Sequence, residues 1–148
     1  MNRLPLSIVA DASLAVKWVV AEDDSPKARL VGEGRTLLAP ELMLVECANI
    51  LWKHQRRGEV ASELASELAS AAFVALQNGP FVWTRDAKLV DDARRLASDL
   101  NHPVYDCLYI ALALRNGVPV VTADRRLAAL AQKFSVLSES LIALESLA

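Results

Sequence analysis

The sequence has little of what marks the commoner chemical scaffolds. Its 148 residues include two cysteines and two histidines. Cys47 and Cys107 both fall in apolar helical stretches, no CxxC occurs, and His54 and His102 stand far apart. That spacing indicates no zinc site, and the cysteines read as small core residues in a reducing compartment. Basic excess is also missing, since the formal net charge is −2. A sequence-reading DNA binder is thereby disfavoured, whereas an enzyme that touches a few phosphates locally is not. Long hydrophobic runs are absent too. The opening "MNRLPLSIVADAS" has a short apolar run followed at once by Asp11, too short for a signal peptide or a membrane span. A cytoplasmic protein is expected. No stretch resembles a linker, so residues 1–148 are read as a single domain.

Apolar residues, by contrast, are plentiful: 53% of the chain, with 24 Ala and 24 Leu. Length and composition suffice for a real core and leave apolar surface for a partner or a second copy. Strands and helices alternate. Leu6–Ala10 is a short apolar strand, Ala12–Ala21 a helix and Pro26–Glu33 a second short helix. "TLLA" forms strand two, and a helix from Glu41 to Arg57 ends at Gly58. The tandem "ASELASELAS" predicts an amphipathic helix with Val60, Leu64 and Leu68 on one face and Glu59, Glu63 and Glu67 beside it. "FVWT" is strand three, followed by a helix over Ala87–Leu100. A further helix carries Asp106, strand four spans Val118–Thr122, and another helix begins at Asp124. A last strand is predicted near Ser135–Leu137, with a short tail helix after it. Such alternation implies an α/β fold with a parallel sheet covered on both faces, whose ligands sit at the carboxyl ends of the strands.

Acids occupy those ends. Strand one runs into Asp11 in "IVADAS", and strand four into Thr122 and Asp124 in "VVTAD". Both aspartates also suit helix N-caps. Glu46 lies in the largely apolar "PELMLVECANIL", where Asn49 and Lys53 share its helical face. Asp106 opens a helix with no polar side chain from Cys107 to Leu114 except the phenol of Tyr109. A carboxylate there needs a partner, and Arg115 is more than two turns away. Two carboxylates about 5 Å apart repel by roughly 3 kcal/mol at an effective dielectric near 20. A converging set of four therefore calls for protonation or for a hard divalent cation, and oxygen-only donors favour Mg²⁺ or Mn²⁺ over zinc. Ser13 and Thr122 lie two residues from Asp11 and Asp124, where a hydroxyl can hold water or phosphate. They also suit a helix cap and a strand end. Lys17, Arg125 and Arg126 are candidate phosphate contacts, and Trp18, Trp52 and Trp83 are candidates for base stacking or for the core.

Four segments, "IVADASLAVKWVV", "LLAPELMLVECANILWK", "VYDCLYIALAL" and "VPVVTADRRL", together resemble the PIN domain, and within it the VapC-type toxins of toxin–antitoxin pairs. The likeness runs from about Ile8 to Phe134. It implies a three-layer α/β/α domain with a mostly parallel sheet of about five strands. It implies, too, a Mg²⁺- or Mn²⁺-dependent endoribonuclease, the toxin of a type II pair. On that reading Asp11, Asp106 and Asp124 hold the metal, Glu46 binds metal or orients the attacking water, and tRNA or rRNA is cut. A homodimer and a cognate antitoxin are the implied partners. One departure stands out: many relatives carry a further acid soon after the last Asp, whereas "ADRRLAAL" has none, which implies one firmly bound ion. A non-catalytic PIN-like module that binds RNA or protein is the alternative. A phosphotransfer receiver or aspartyl-phosphate phosphatase fits poorly, because "DAS" places Ser13 where such a phosphatase has its second Asp.

Overall fold

The structure is a computed structural model that describes residues 4–57, 62–134 and 142–143. Five parallel strands form its sheet in the order β3-β2-β1-β4-β5. They are β1 (Ser7–Ala10), β2 (Thr36–Pro40), β3 (Phe81–Thr84), β4 (Val120–Thr122) and β5 (Ile142–Ala143). The central strands are buried on both faces, which is why they read as continuous apolar runs. Alternation along β1 divides the core. Val9, with Ala39 and Val120, packs under helices α3 (Leu42–Arg56), α5 (Val90–Leu100) and α6 (Val104–Asn116). Ile8 and Ala10 point the other way, with Leu37 and Val121, toward Leu14 of α1 (Ala12–Ala15) and Ala28 and Val31 of α2 (Ser25–Gly32). Helices therefore cover both faces, giving the expected three layers. Helix α7 (Arg125–Ala131) follows β4.

Register places the functional edge. Val9 pairs with Val120 and Ala10 with Val121, while Val9 pairs on its other side with Leu38. The chain thus leaves β1 toward β2 on one side and is joined by β4 on the other. In open parallel sheets the region beyond the carboxyl ends of the strands at such a reversal is where ligands bind, and here it lies beyond β1 and β4. Asp11 and Asp124 are placed there by the strands that precede them.

Several elements differ from the expected ones. Helix α1 ends after Ala15 and passes into a 3-10 turn over Val16–Trp18, where the valines of "AVKWVV" are poor helix formers. A 3-10 turn at Asp86–Lys88 likewise precedes α5. Strand β4 starts at Val120 because Pro119 has no N–H for the ladder, although its carbonyl accepts Val9 N–H at 2.8 Å. Gly117, at φ +61°, supplies the left-handed residue that ends α6 and turns the chain into β4.

The largest difference concerns α4 (Ser62–Gln77). Its buried positions are Ala65, Ala72 and Leu76, whereas Leu68 is 55% exposed. Among its described side chains, Ala65 and Ala72 join Leu76 against the core, and Leu68 does not. Leu68 instead lines an open apolar cleft of about 570 Å³ between α3 and α4, with Val20, Leu51 and Ala72. Gly58, Glu59, Val60 and the expected strand at Ser135–Leu137, with the tail helix after it, lie outside the described residues. The strand described beside β4 is Ile142–Ala143, paired with Val121 and Thr122. Among the described residues no helix is long and apolar enough to cross a membrane.

Candidate active site at the carboxyl edge of the sheet

Asp11 is the most enclosed acid, 5% exposed at the junction of β1 and α1. It caps α1, accepting Leu14 N–H at 3.2 Å. Thr122 donates its hydroxyl to Oδ2 at 2.6 Å, and the Ser13 hydroxyl is 2.9 Å from both carboxylate oxygens. Burial nevertheless wins. It pushes the Asp11 carboxyl up to about 6 against the lowering effect of Thr122, Ser13 and Leu14, with a smaller upward push from Glu46. Both hydroxyls also hold the backbone just past β4, since Thr122 accepts Asp124 N–H at 2.9 Å and Ser13 accepts Ala123 N–H at 3.0 Å. Ser13 and Thr122 thereby bolt the ends of β1 and β4 together. The same two hydroxyls orient Asp11.

Asp124 caps α7, its Oδ1 accepting Arg126 N–H at 2.8 Å and Leu127 N–H at 3.4 Å. Capping and site placement are not alternatives here, because a helix N-terminus at a strand end provides both.

Asp106 has the partner that sequence reasoning missed. His102 Nε2 lies 2.6 Å from Asp106 Oδ2, and both side chains are mostly buried. Sequence spacing carried the signal: His102 and Asp106 stand four positions apart, and Pro103 starts α6 between them. The carboxylate is therefore held, not bare.

Glu46 sits in the second turn of α3. The start of α3 is pinned to the end of β3 by Glu41 N–H to Thr84 O at 3.0 Å and by Leu42 N–H to Asp86 Oδ1 at 3.1 Å. Glu46 is half-buried, unlike exposed Asn49 and Lys53 on its helix, and its Oε1 accepts the buried Tyr109 hydroxyl of α6. Desolvation raises the Glu46 carboxyl above its usual range; the Tyr109 bond lowers it, and the charges of Asp106, Asp124 and Asp86 raise it further. Glu46 thus feels two of the other expected acids, and Asp11 feels Glu46. The four carboxylates share one edge, and Asp86 is a fifth acid that the sequence reading did not single out. Tyr109, held well above the usual phenol range by burial and by Glu46, stays protonated and donates.

Among the described residues, no three His, Cys, Asp or Glu side chains close into a ready metal cage. The donor set still fits a hard ion. It is all oxygen, Asp11 in it is buried and Glu46 half-buried, and His102, Tyr109 and the α7 amides each engage a single oxygen of Asp106, Glu46 and Asp124. Mg²⁺ keeps several waters and needs only one or two direct carboxylates, so an open cluster suits it better than a closed one. The thiols take no part: Cys47 and Cys107 are buried and free, and burial pushes Cys47 up to about 12.

The cations divide. Arg125 and Arg126 are exposed beside Asp124. Lys17 is instead 2.6 Å from Glu22 and 2.8 Å from Asp24, with its side chain 13% exposed. Its ammonium belongs to an ion-pair cluster with both acids. Trp18 and Trp83 both pack on Phe81, and Arg56 lies over Trp52.

Comparison with known proteins agrees with this arrangement. The PIN domain family model matches residues 8–133. Ribonuclease VapC3 of Pyrobaculum aerophilum is 35% identical over 136 residues, which cover 89% of this chain and 98% of that protein. The crystal structure of PAE2754, also from Pyrobaculum aerophilum, superposes with a TM-score of 0.66 at 25% identity, covering 96% of this chain and 86% of that one. Mycobacterium tuberculosis VapC20, described as a Sarcin-Ricin loop cleaving toxin, shares the fold with a TM-score of 0.63 at 15% identity, over 82% of this chain and 93% of that one. The acids at the sheet edge, the three-layer fold and these matches agree: the chain belongs to the PIN domain family, and within it to the VapC type.

Proposed function

We propose that this protein is a divalent-metal-dependent endoribonuclease, the toxin of a type II toxin–antitoxin pair, acting in the cytoplasm as one domain. The observation that supports the reading is the electrostatic coupling among Asp11, Glu46, Asp106 and Asp124 beside the ends of β1 and β4, which adds to burial in raising Asp11 and Glu46. Full ionisation there is costly without a cation. Asp11, Asp106 and Asp124 would hold Mg²⁺ or Mn²⁺, directly or through water. Once bound, such an ion supplies positive charge against the attacked phosphodiester and acidifies a water.

The chain's own groups do the rest. Thr122 and Ser13 fix Asp11, His102 fixes Asp106, and α7 fixes Asp124. Tyr109 holds Oε1 of Glu46 and so presents Oε2 as the oxygen that takes a proton from the attacking water. Water adds to phosphorus and the bond to the 3′-oxygen breaks, so the products carry 5′-phosphate and 3′-hydroxyl ends. Arg125 and Arg126 are the phosphate contacts in this reading. The relatives' names support RNA as substrate, with tRNA and rRNA the first to test. A cognate antitoxin and a second copy of the chain are the proposed partners. Exposed Val45, Trp52 and Leu68, together with the apolar cleft beside α4, support apolar contacts with them.

The test is cleavage of total tRNA and rRNA by antitoxin-free protein, with and without Mg²⁺ or Mn²⁺, against Asp106→Asn, followed by sequencing of the ends. Discrete metal-dependent cuts that vanish in the variant are expected. Cyclic 2′,3′-phosphate ends would contradict the water mechanism. Identical behaviour of the two proteins would instead favour a non-catalytic binding module.

A further inference from the structure

Helix α6 is buried from Cys107 to Ala113, yet Tyr105, one residue before Asp106, is 65% exposed. Singly exposed apolar side chains are ordinary on a surface. This one is set apart by its position. Consecutive helical residues diverge by about 100° and their Cα atoms are about 3.8 Å apart. The exposed Tyr105 side chain therefore leaves the helix next to Asp106 but in a different direction from that carboxylate.

The other large rings are engaged. The Trp18 ring is 5.7 Å from Phe81, and its indole N–H donates to Ala28 O at 2.7 Å. Trp83 tilts against Phe81 at 5.1 Å, and the Arg56 guanidinium sits 5.0 Å over Trp52. Tyr109 is buried against Glu46. Among the described residues Tyr105 has no recorded ring, hydrogen-bond or ion-pair partner. Electrostatics add a reason for such a ring. A site built from carboxylates, on a chain of net charge −2, repels a polyanion. Affinity must come partly from contacts that are indifferent to charge, and an aromatic face stacked on an unpaired base is one.

Building on the ribonuclease reading, we propose that Tyr105 is a base-stacking platform at the rim of the active site. It takes one unpaired nucleobase of single-stranded RNA, flanking the bond to be cut. A duplex keeps its bases stacked on each other and has none to offer, so the platform favours loops and single strands.

The test uses the full chain in the Asp11→Asn background, which leaves RNA uncut and α6 unaltered. Binding of a single-stranded oligoribonucleotide containing 2-aminopurine, and of its duplex, is followed by anisotropy and by quenching of the 2-aminopurine. Tyr105→Leu keeps an apolar side chain without a π face and is expected to weaken single-strand binding about tenfold and to lose the quench. Tyr105→Trp is expected to retain both, and duplex binding to change in neither variant. Unchanged melting curves separate this effect from misfolding. If Tyr105→Leu binds and quenches like its parent, the platform is refuted and the ribonuclease reading is untouched. If the parent neither binds nor, with Asp11 restored, cleaves RNA, both fall together.

Discussion

At Asp11 the requirements of folding and of function pull in opposite directions. Its carboxyl rises from an ordinary 3.8 to about 6 because burial outweighs three hydrogen bonds. For an acid whose folded pKa is raised, the stabilising contribution is fully present below 3.8 and is lost as pH climbs through about 6. A difference of about two units corresponds to roughly 3 kcal/mol. Asp11→Asn should therefore raise the melting temperature of metal-free protein at pH 8, have a much smaller effect at pH 4, and abolish cleavage. Thermal melts across that range check it. Tyr109→Phe has the opposite balance. It leaves Oε1 of Glu46 without its donor, and loss of a hydrogen bond to a charged group costs about 2 kcal/mol. The variant should be less stable, and kcat should fall more than KM rises, because Glu46 is no longer fixed for proton transfer. Urea unfolding and steady-state kinetics on one preparation measure both effects.

Elements explain what could be read from the chain. Apolar runs and their stops placed β1, β2, β3 and β4 within a residue or two. Strands β1 and β4, buried on both faces, leave an unbroken signature, and the partly exposed β3 is marked by the Asn78-Gly79-Pro80 stop before it. Asp11, Asp106 and Glu46 were legible for a related reason, as acids set among apolar neighbours, and Asp124 as an acid just past a buried strand. Their holders were not. Tyr109 and Glu46 are 63 residues apart, and Asp86 reaches Leu42 across 44, distances along the chain that only the packing of α6, α3 and β3 closes. The α4 repeat misled because alanines allow close helix approach while its Leu68 opens to the cleft. Asp86 offers a test at this scale. Its bond to Leu42 N–H acts as a cap for α3, so Asp86→Ala should cost about 1 kcal/mol in stability. Activity should fall as well, since α3 carries Glu46.

For the whole molecule, the sheet order determines where the proposed chemistry would sit. Two strands that carry acids at their carboxyl ends lie side by side at the reversal, and α3 and α6 bring in the other two. An ion that binds this edge only in the folded chain must stabilise the fold, by about 2.7 kcal/mol at a hundredfold excess over its dissociation constant. The most direct measurement is calorimetric titration of Mn²⁺ into antitoxin-free protein and into Asp11→Asn, Asp106→Asn and Asp124→Asn. The account predicts one ion per chain and at least a tenfold weaker affinity in each variant, with every variant still folded. Unchanged Mn²⁺ binding in all three would place the ion elsewhere and contradict a single site built from these acids.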